Sequence, residues 1–202
     1  MAKIVFWLSG CGVKDGSEIH ESVVTLLAIS RLGEEIVCMA PSGEQTQVVN
    51  HLDGSKLNEK RQILIEAARI ARGNIKDIKC VKASDIDALI FPARLGAALN
   101  LSDFALSGEK CNVNPDVAAF IEEVHKLGKP IGAICIAPAV LAKVLGPKNV
   151  ELTIGTSQET AKKLEAMGAK HVNCKADDIV VDEKNKVVTT PAYMLAGSIA
   201  EI

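Results

Sequence analysis

Short apolar runs rich in β-branched residues alternate with amphipathic stretches along almost the whole chain. That alternation constrains the fold more than any other feature of the sequence. Lys3–Ser9, Ile36–Ala40, Ala88–Phe91 and Ile131–Ile134 read as buried strands. Between them, Ile19, Val23, Leu26, Leu27 and Ser30 share one helical face closed by Gly33, and Lys60–Ile70 is helical. Pro115–Leu127 is a further helix, with Asn114 as its N-cap and Pro115 in its first position. Strands separated by helices build parallel βαβ units with helices on both faces, so the expected class is α/β with a mostly parallel sheet. In such sheets ligands sit beyond the carboxyl ends of the strands.

The remaining segments fit the same plan. Residues 44–58 are polar and read as an excursion from the main sheet, and 73–85 as irregular chain or short strands. Residues 93–112 read as a long loop, and loops of that length in a compact domain usually serve function. A helix over Ala137–Leu145, a strand at Leu152–Ile154 and a helix at Gln158–Met167 follow. A hairpin then joins Ile179–Asp182 to Val187–Thr190, and a last helix is expected from Met194. No linker or repeat divides the 202 residues, which are read as one domain.

Bulk properties exclude several functions. The net charge is −2, which leaves no electrostatic footprint for nucleic acid. No apolar run approaches the roughly 20 residues of a membrane span. The N-terminal apolar run reads as a first strand rather than a targeting segment, so a cytoplasmic protein is expected. The six cysteines show neither a C-x-x-C pair nor zinc-ligand spacing with a histidine, so neither a disulfide framework nor a metal is expected.

Gly132–Pro138 (GAICIAP) carries the sharpest chemical signal. A buried strand ends in Cys135 and a helix starts behind it, as in a nucleophile elbow. Such a turn lifts the side chain above the sheet edge, and the helix dipole favours a thiolate. The alternative is a core cysteine at a strand end. A thiolate nucleophile also needs a partner that handles protons. The loop Gly10–Glu21 lies at the carboxyl end of the first strand, on the same rim. It supplies three glycines, including Gly12, and two acids, Glu18 and Glu21, one helical turn apart. His20 is a further candidate base beside Glu21, and Cys11 a candidate neighbour of the pocket.

Five motifs, in order and spread over nearly the whole chain, resemble the ThiJ/PfpI superfamily and, within it, the ElbB branch. They are LSGCGV (8–13), DGSEIHE (15–21), IEAARIARG (65–73), CIAPA (135–139) and VVTTPAYM (187–194). The resemblance implies a flavodoxin-like three-layer sandwich of the class I glutamine amidotransferase type, commonly a homodimer. It implies Cys135 as nucleophile and Glu21 as the glutamate that touches it, protonated by burial and hydrogen-bonded to the thiolate. It also implies a small dicarbonyl substrate and no cofactor. Cys135 would add to the aldehyde of glyoxal or methylglyoxal, and Glu21 would move a proton between the adjacent carbons.

The chain departs from the superfamily's patterns in places. Ile136 stands where the protease branch has its histidine, and Ile154–Ser157 holds none either. The late His-x-Glu pair of glutamine amidotransferases is missing; the one late histidine is His171. After Pro92 the family has two glycines whose N–H groups form an oxyanion hole, whereas this chain has Ala93 and Arg94. Ala93 can still present its N–H, and Arg94 can reach a carboxylate or phosphate. The expected substrate-binding set is therefore Gly12, His20, Ala93, Arg94 and Ile136. Two other functions remain open: a redox-sensing or regulatory module of the same fold, and a glutaminase-like subunit.

Overall fold

A computed structural model describes residues 1–202. In chain order the elements are β1 (Lys3–Trp7), α1 (Ile19–Arg31), β2 (Glu35–Ala40), β3 (Val48–Val49), β4 (Lys56–Leu57), α2 (Ile63–Ile70), β5 (Lys76–Asp77) and β6 (Ala88–Phe91). They continue with α3 (Phe104–Ser107), α4 (Pro115–Lys126), β7 (Ile131–Ile134), α5 (Pro138–Leu145), β8 (Glu151–Leu152), α6 (Gln158–Ala166), β9 (Lys170–His171), β10 (Val180–Asp182) and β11 (Val187–Thr190). Seven strands form one sheet in the order β10-β11-β7-β6-β1-β2-β5. All its pairs are parallel except β10 with β11.

The strands are apolar on both sides because both faces are covered. Successive residues of β1 point opposite ways. Val5 and Trp7 enter the larger core with Met39, Leu89, Phe91 and Ile131, under α4, α5 and α6. Phe6 and Leu8 enter a smaller core with Ile29, Cys38, Ile63 and Ala67, under α1 and α2. Trp7 anchors the larger layer, its ring 6.0 Å from Phe91 and 5.5 Å edge-on from Phe120. The expected α/β three-layer sandwich is the observed architecture. The chain crosses from β1 to β2 on one side and returns to β6 on the other. The crevice between the carboxyl ends of β1 and β6 is therefore the topological switch point.

Four readings of the sequence need correction. The expected loop 93–112 is largely wound: Ala97–Leu101 forms a π-turn and α3 follows. The Asn100 side chain donates to Ser9 O (2.8 Å) and Asp15 O (2.9 Å), and Ser102 Oγ donates to Ala97 O (2.9 Å). No apolar periodicity announces such side-chain braces. The helix expected from Met194 is replaced by 3-10 turns at Ala192–Met194 and Ile199–Glu201. Ala192 sits at φ +43°, Leu195 at φ −128°, and the Tyr193 N–H is drawn to Glu21 instead of a helical ladder. The second helix starts at Ile63 rather than Lys60, because the preceding chain bridges Gln62 to Glu44. Finally, the apolar stripe of α1 is open: Ile19, Val23 and Leu27 are exposed, while Glu21, Ser22 and Ile29 are buried. The helix is rolled so that a carboxyl, not a leucine, faces the switch point.

The two loops that bound the switch point touch backbone to backbone. Gly96 N–H donates to Gly16 O (2.9 Å), and Glu18 N–H donates to Ala93 O (2.8 Å). A Cβ on Gly96 would lie 2.4 Å from Gly16 C and 2.3 Å from Ser9 Oγ. Overpacking of this kind costs about 1–3 kcal/mol. Gly96→Ala is therefore expected to lower Tm by roughly 2–12 °C in a thermal melt. It should also separate the loops, so that Cys135 reacts differently with a thiol reagent under native conditions.

Candidate active site

Cys135 sits at the apex of a tight turn between β7 and α5. Its backbone is left-handed, at φ +64°, a conformation that non-glycine residues rarely hold. Hydrogen bonds hold it there: Cys135 N–H donates to Thr190 O (2.9 Å) and Ala137 N–H to Ile134 O (3.1 Å). Pro138 opens α5 directly behind. The expected strand–turn–helix elbow is thus the local structure. The thiol has no exposed surface.

Glu21 reaches the same point from the first turn of α1 and is 2 % exposed. The division of labour with Glu18 has a clear geometry. Glu18 is the N-cap, its Oε2 accepting from the Glu21 N–H (2.7 Å), so it serves the helix end. Glu21 lies one turn on and turns inward. Its Oε1 accepts from the Tyr193 N–H (3.2 Å), and the Ala93 N–H also faces the carboxyl. Its Oε2 is buried with no well-aligned hydrogen-bond partner. The Cys135 thiol lies against this carboxyl.

Burial raises the Glu21 carboxyl from 4.5 to about 7; the Cys135 contact and the two N–H groups pull it down, and the Glu18 charge adds to the rise. The Cys135 thiol is pushed above its ordinary range by burial first and by the Glu21 charge second, while the Arg94 guanidinium pulls it back. The pair therefore gives up one proton near neutrality and holds the other tightly. Both groups are thus pushed toward their protonated forms, because the sulfur is dry and its nearest acid competes with it for negative charge.

A cavity of about 550 Å³ opens beside the pair, lined by Val13, Arg94, Leu95, Phe104, Ile136 and Met194 among others. Arg94 lies near the sulfur. Its Nη1 donates to Tyr193 O (2.8 Å), and its charge lowers the cost of ionising the Cys135 thiol. Its backbone stands at φ +80°, the conformation for which the family's glycine is suited. Ile136 lines the cavity, and its N–H serves no bond within the chain. It is the backbone donor available to a reacting oxygen next to Cys135.

The structure thus brings Cys135, Glu21, Ala93, Arg94 and Ile136 together. It does not bring in the other two expected residues. Gly12 (φ +133°) is packed against His51 and Asp15, where a Cβ would lie 2.6 Å from His51 Nε2. His20 faces outward, its Nδ1 2.8 Å from the Tyr193 hydroxyl, because it is one residue before the inward-pointing Glu21 on the helix. Cys11 lies outside the cavity lining. His51 pairs with Asp15, His125 with Asn185, and His171 accepts from the Ile154 N–H, so no histidine lines the cavity. No group of three or more His, Cys, Asp or Glu side chains is arranged to hold a metal ion. Tyr193 was not singled out from the sequence, yet its N–H, carbonyl and hydroxyl serve Glu21, Arg94 and His20 in turn. The signal for it is its place in the VVTTPAYM motif.

The raised carboxyl links folding to pH. Unfolded Glu21 ionises from about pH 4.5, whereas the folded site keeps its proton to about 7. Stability from this group is complete below 4.5 and is lost as pH rises to about 7. The shift corresponds to about 3 kcal/mol. Glu21→Gln should remove that loss, so the variant gains stability over the parent between pH 5 and 7. Denaturant melts across this range check it; a constant difference refutes it.

Comparison with known proteins fits this geometry. The DJ-1/PfpI family model matches residues 105–196, the segment that carries Cys135 and Tyr193. The human glutamine amidotransferase-like class 1 domain-containing protein 3, mitochondrial, is 47 % identical over 203 residues, spanning 96 % of this chain and 75 % of that protein. The rat ES1 protein homolog, mitochondrial, is 46 % identical, with 96 % and 76 % spanned. A crystal structure of an isoprenoid biosynthesis protein with amidotransferase-like domain from Ehrlichia chaffeensis superposes with a TM-score of 0.91 at 35 % identity, covering 98 % of this chain and 92 % of that one. No helix of the chain is long and apolar enough to cross a membrane. With relatives aligned along nearly its full length and the family model matched over the segment that carries the elbow cysteine, the chain belongs to the DJ-1/PfpI family.

Proposed function

We propose that the chain is a glyoxalase-type enzyme of the ElbB branch, converting glyoxal or methylglyoxal to the 2-hydroxy acid without glutathione. The observation that carries the reading is the buried Glu21 carboxyl, poised near neutrality against the Cys135 thiol. Isomerising an α-oxoaldehyde needs a nucleophile for the aldehyde carbon and one group that takes and returns a proton at neutral pH. The sulfur adds to the aldehyde and its proton passes to the carbonyl oxygen. Glu21 removes the former aldehyde C–H proton and delivers it to the neighbouring carbon, while the proton of the new hydroxyl passes to the neighbouring carbonyl oxygen. The resulting thioester is cleaved by water, which releases the acid and restores the thiol. The Ile136 N–H is positioned for the oxyanion of the addition and hydrolysis steps. The description of the Ehrlichia relative, 35 % identical, supports the branch.

Glutamine hydrolysis, suggested by the names of relatives, lacks a histidine in the cavity to activate the thiol. A regulatory module is favoured by one observation, the complete cover over Cys135. Cytoplasmic residence is proposed for this chain, whereas the human and rat relatives are named mitochondrial.

Steady-state turnover of methylglyoxal to lactate is the test. Cys135→Ala should abolish it, and Glu21→Gln should lower kcat by about 10²-fold or more. Full turnover in Cys135→Ala removes the mechanism, and no turnover by the parent chain favours the regulatory module. Homodimer formation is also proposed, supported by the exposed Ile19, Val23 and Leu27. Light scattering should then give twice the 21.4 kDa chain mass.

A further inference from the structure

We propose that Arg94 is a displaceable cover on Cys135 that recognises anions, so the site selects an α-oxoaldehyde carrying a carboxylate or phosphate. The inference rests on the glyoxalase reading for its reaction, but its geometry stands alone. The thiol has no exposed surface, yet a cavity of about 550 Å³ lies beside it, large enough for a small-molecule ligand. Arg94 lines that cavity with its guanidinium near the sulfur, while Cys135 itself does not reach the lining, so moving this side chain opens a path to Cys135.

Three observations show what would move it. The guanidinium is partly buried without a carboxylate in ion-pair range; the ion pairs of the chain lie elsewhere. Its hydrogen-bond acceptor is the neutral Tyr193 carbonyl. A charge held in this way gains by exchanging a carbonyl for a carboxylate or phosphate, which accepts two parallel N–H bonds. No acidic residue lines the cavity, and its other cation, Lys14, turns its ammonium toward the rim at Gly54. The backbone at Arg94 holds φ +80°, which a glycine would hold without strain, so the side chain is kept at a conformational cost. The remaining lining, including Val13, Leu95, Ile136 and Met194, accommodates a short apolar spacer between the anionic group and the aldehyde.

The sequence of events balances. The guanidinium leaves Tyr193 O and pairs with the anionic group of the substrate, which uncovers the sulfur. The C–S bond then forms and the thiol proton goes to the aldehyde oxygen. Glu21 carries the C–H proton to the adjacent carbon, the new hydroxyl's proton passes to the adjacent carbonyl oxygen, and water cleaves the thioester. The product is a 2-hydroxy acid with a second anionic group. One carbon is oxidised and its neighbour reduced, so no external oxidant or reductant enters.

The test has an arm that needs no turnover. Alkylation of Cys135 by iodoacetate and by iodoacetamide is followed by peptide mass spectrometry, with the exposed Cys80 as internal reference. The ratio of the two rates cancels any change in thiol ionisation. In the parent chain the ratio at Cys135, relative to Cys80, should favour iodoacetate. In Arg94→Gly, where the backbone strain is relieved, it should fall at least tenfold, and Arg94→Lys should be intermediate. A ratio unchanged within twofold in both variants overturns the proposal, whatever the activity. The second arm compares kcat/KM for 4,5-dioxopentanoate and for hydroxypyruvaldehyde phosphate with that for methylglyoxal. The carboxylate or the phosphate compound should be preferred at least tenfold, and the preference should be lost in Arg94→Gly. Whichever is preferred identifies the anion. If the alkylation ratio shifts but no oxoaldehyde turns over, anion recognition stands and the glyoxalase reading fails. If methylglyoxal turns over with no charge preference and no ratio shift, the reverse holds.

Discussion

Everything at the candidate site depends on a carboxyl kept in the dry edge of the sheet with no cation bound to it. Burying an ionised carboxylate costs several kcal/mol unless it is paired. Glu21 meets that cost partly by staying protonated to about pH 7 and partly by accepting the Tyr193 N–H. The arrangement needs Glu18 to cap α1, because a helix whose first turn lacked a cap would draw the nearest acid to its own N–H groups. It also explains the roll of α1. Turning Glu21 and Ser22 inward leaves Ile19, Val23 and Leu27 exposed.

Three strand ends must converge for the site to exist. The connection after β1 leads into α1 and its Glu21, the turn after β6 supplies Ala93 and Arg94, and the turn after β7 supplies Cys135. A parallel sheet places these ends on one rim, but it does not set their spacing. That is done by contacts without side chains between them, above all Gly96 on Gly16, and by Asn100, whose amide joins Ser9 O to Asp15 O. The strained backbone at Cys135 persists because its N–H is committed to β11 and the next turn is closed by Ala137.

The parts of this architecture that rest on periodicity were legible in the sequence. Alternation predicted the parallel sheet, and the strand-to-helix junction at Cys135 predicted the elbow. Choosing Glu21 over Glu18 took the family resemblance, since the two acids differ only by one helical turn. The burial that sets their roles is a tertiary fact. The misplaced elements share a cause. Residues 97–101 are wound by side-chain bonds from Asn100 and Ser102, and the tail after Thr190 is unwound by the pull of Glu21 on the Tyr193 N–H. Hydrophobic patterning carries no trace of either. Nor could it show where the Arg94 guanidinium is held, because this depends on Tyr193, 99 residues away, offering its carbonyl.

Arg94 also shows how a fold can keep a conformation while changing what it does. The turn after β6 holds φ +80° at this residue, a geometry that a glycine satisfies with an open N–H and no side chain. Arginine preserves the path of the backbone and adds a guanidinium where the glycine would leave space. The Ala93 N–H is meanwhile directed at the Glu21 carboxyl, so of the pair of backbone donors expected from the family the Arg94 N–H is left, with the Ile136 N–H as a further one beside Cys135. A site with fewer fixed donors and one movable cation is poorly matched to an uncharged carbonyl. It suits a substrate that brings its own negative charge, because the same guanidinium that hides the thiol at rest becomes its strongest available ligand.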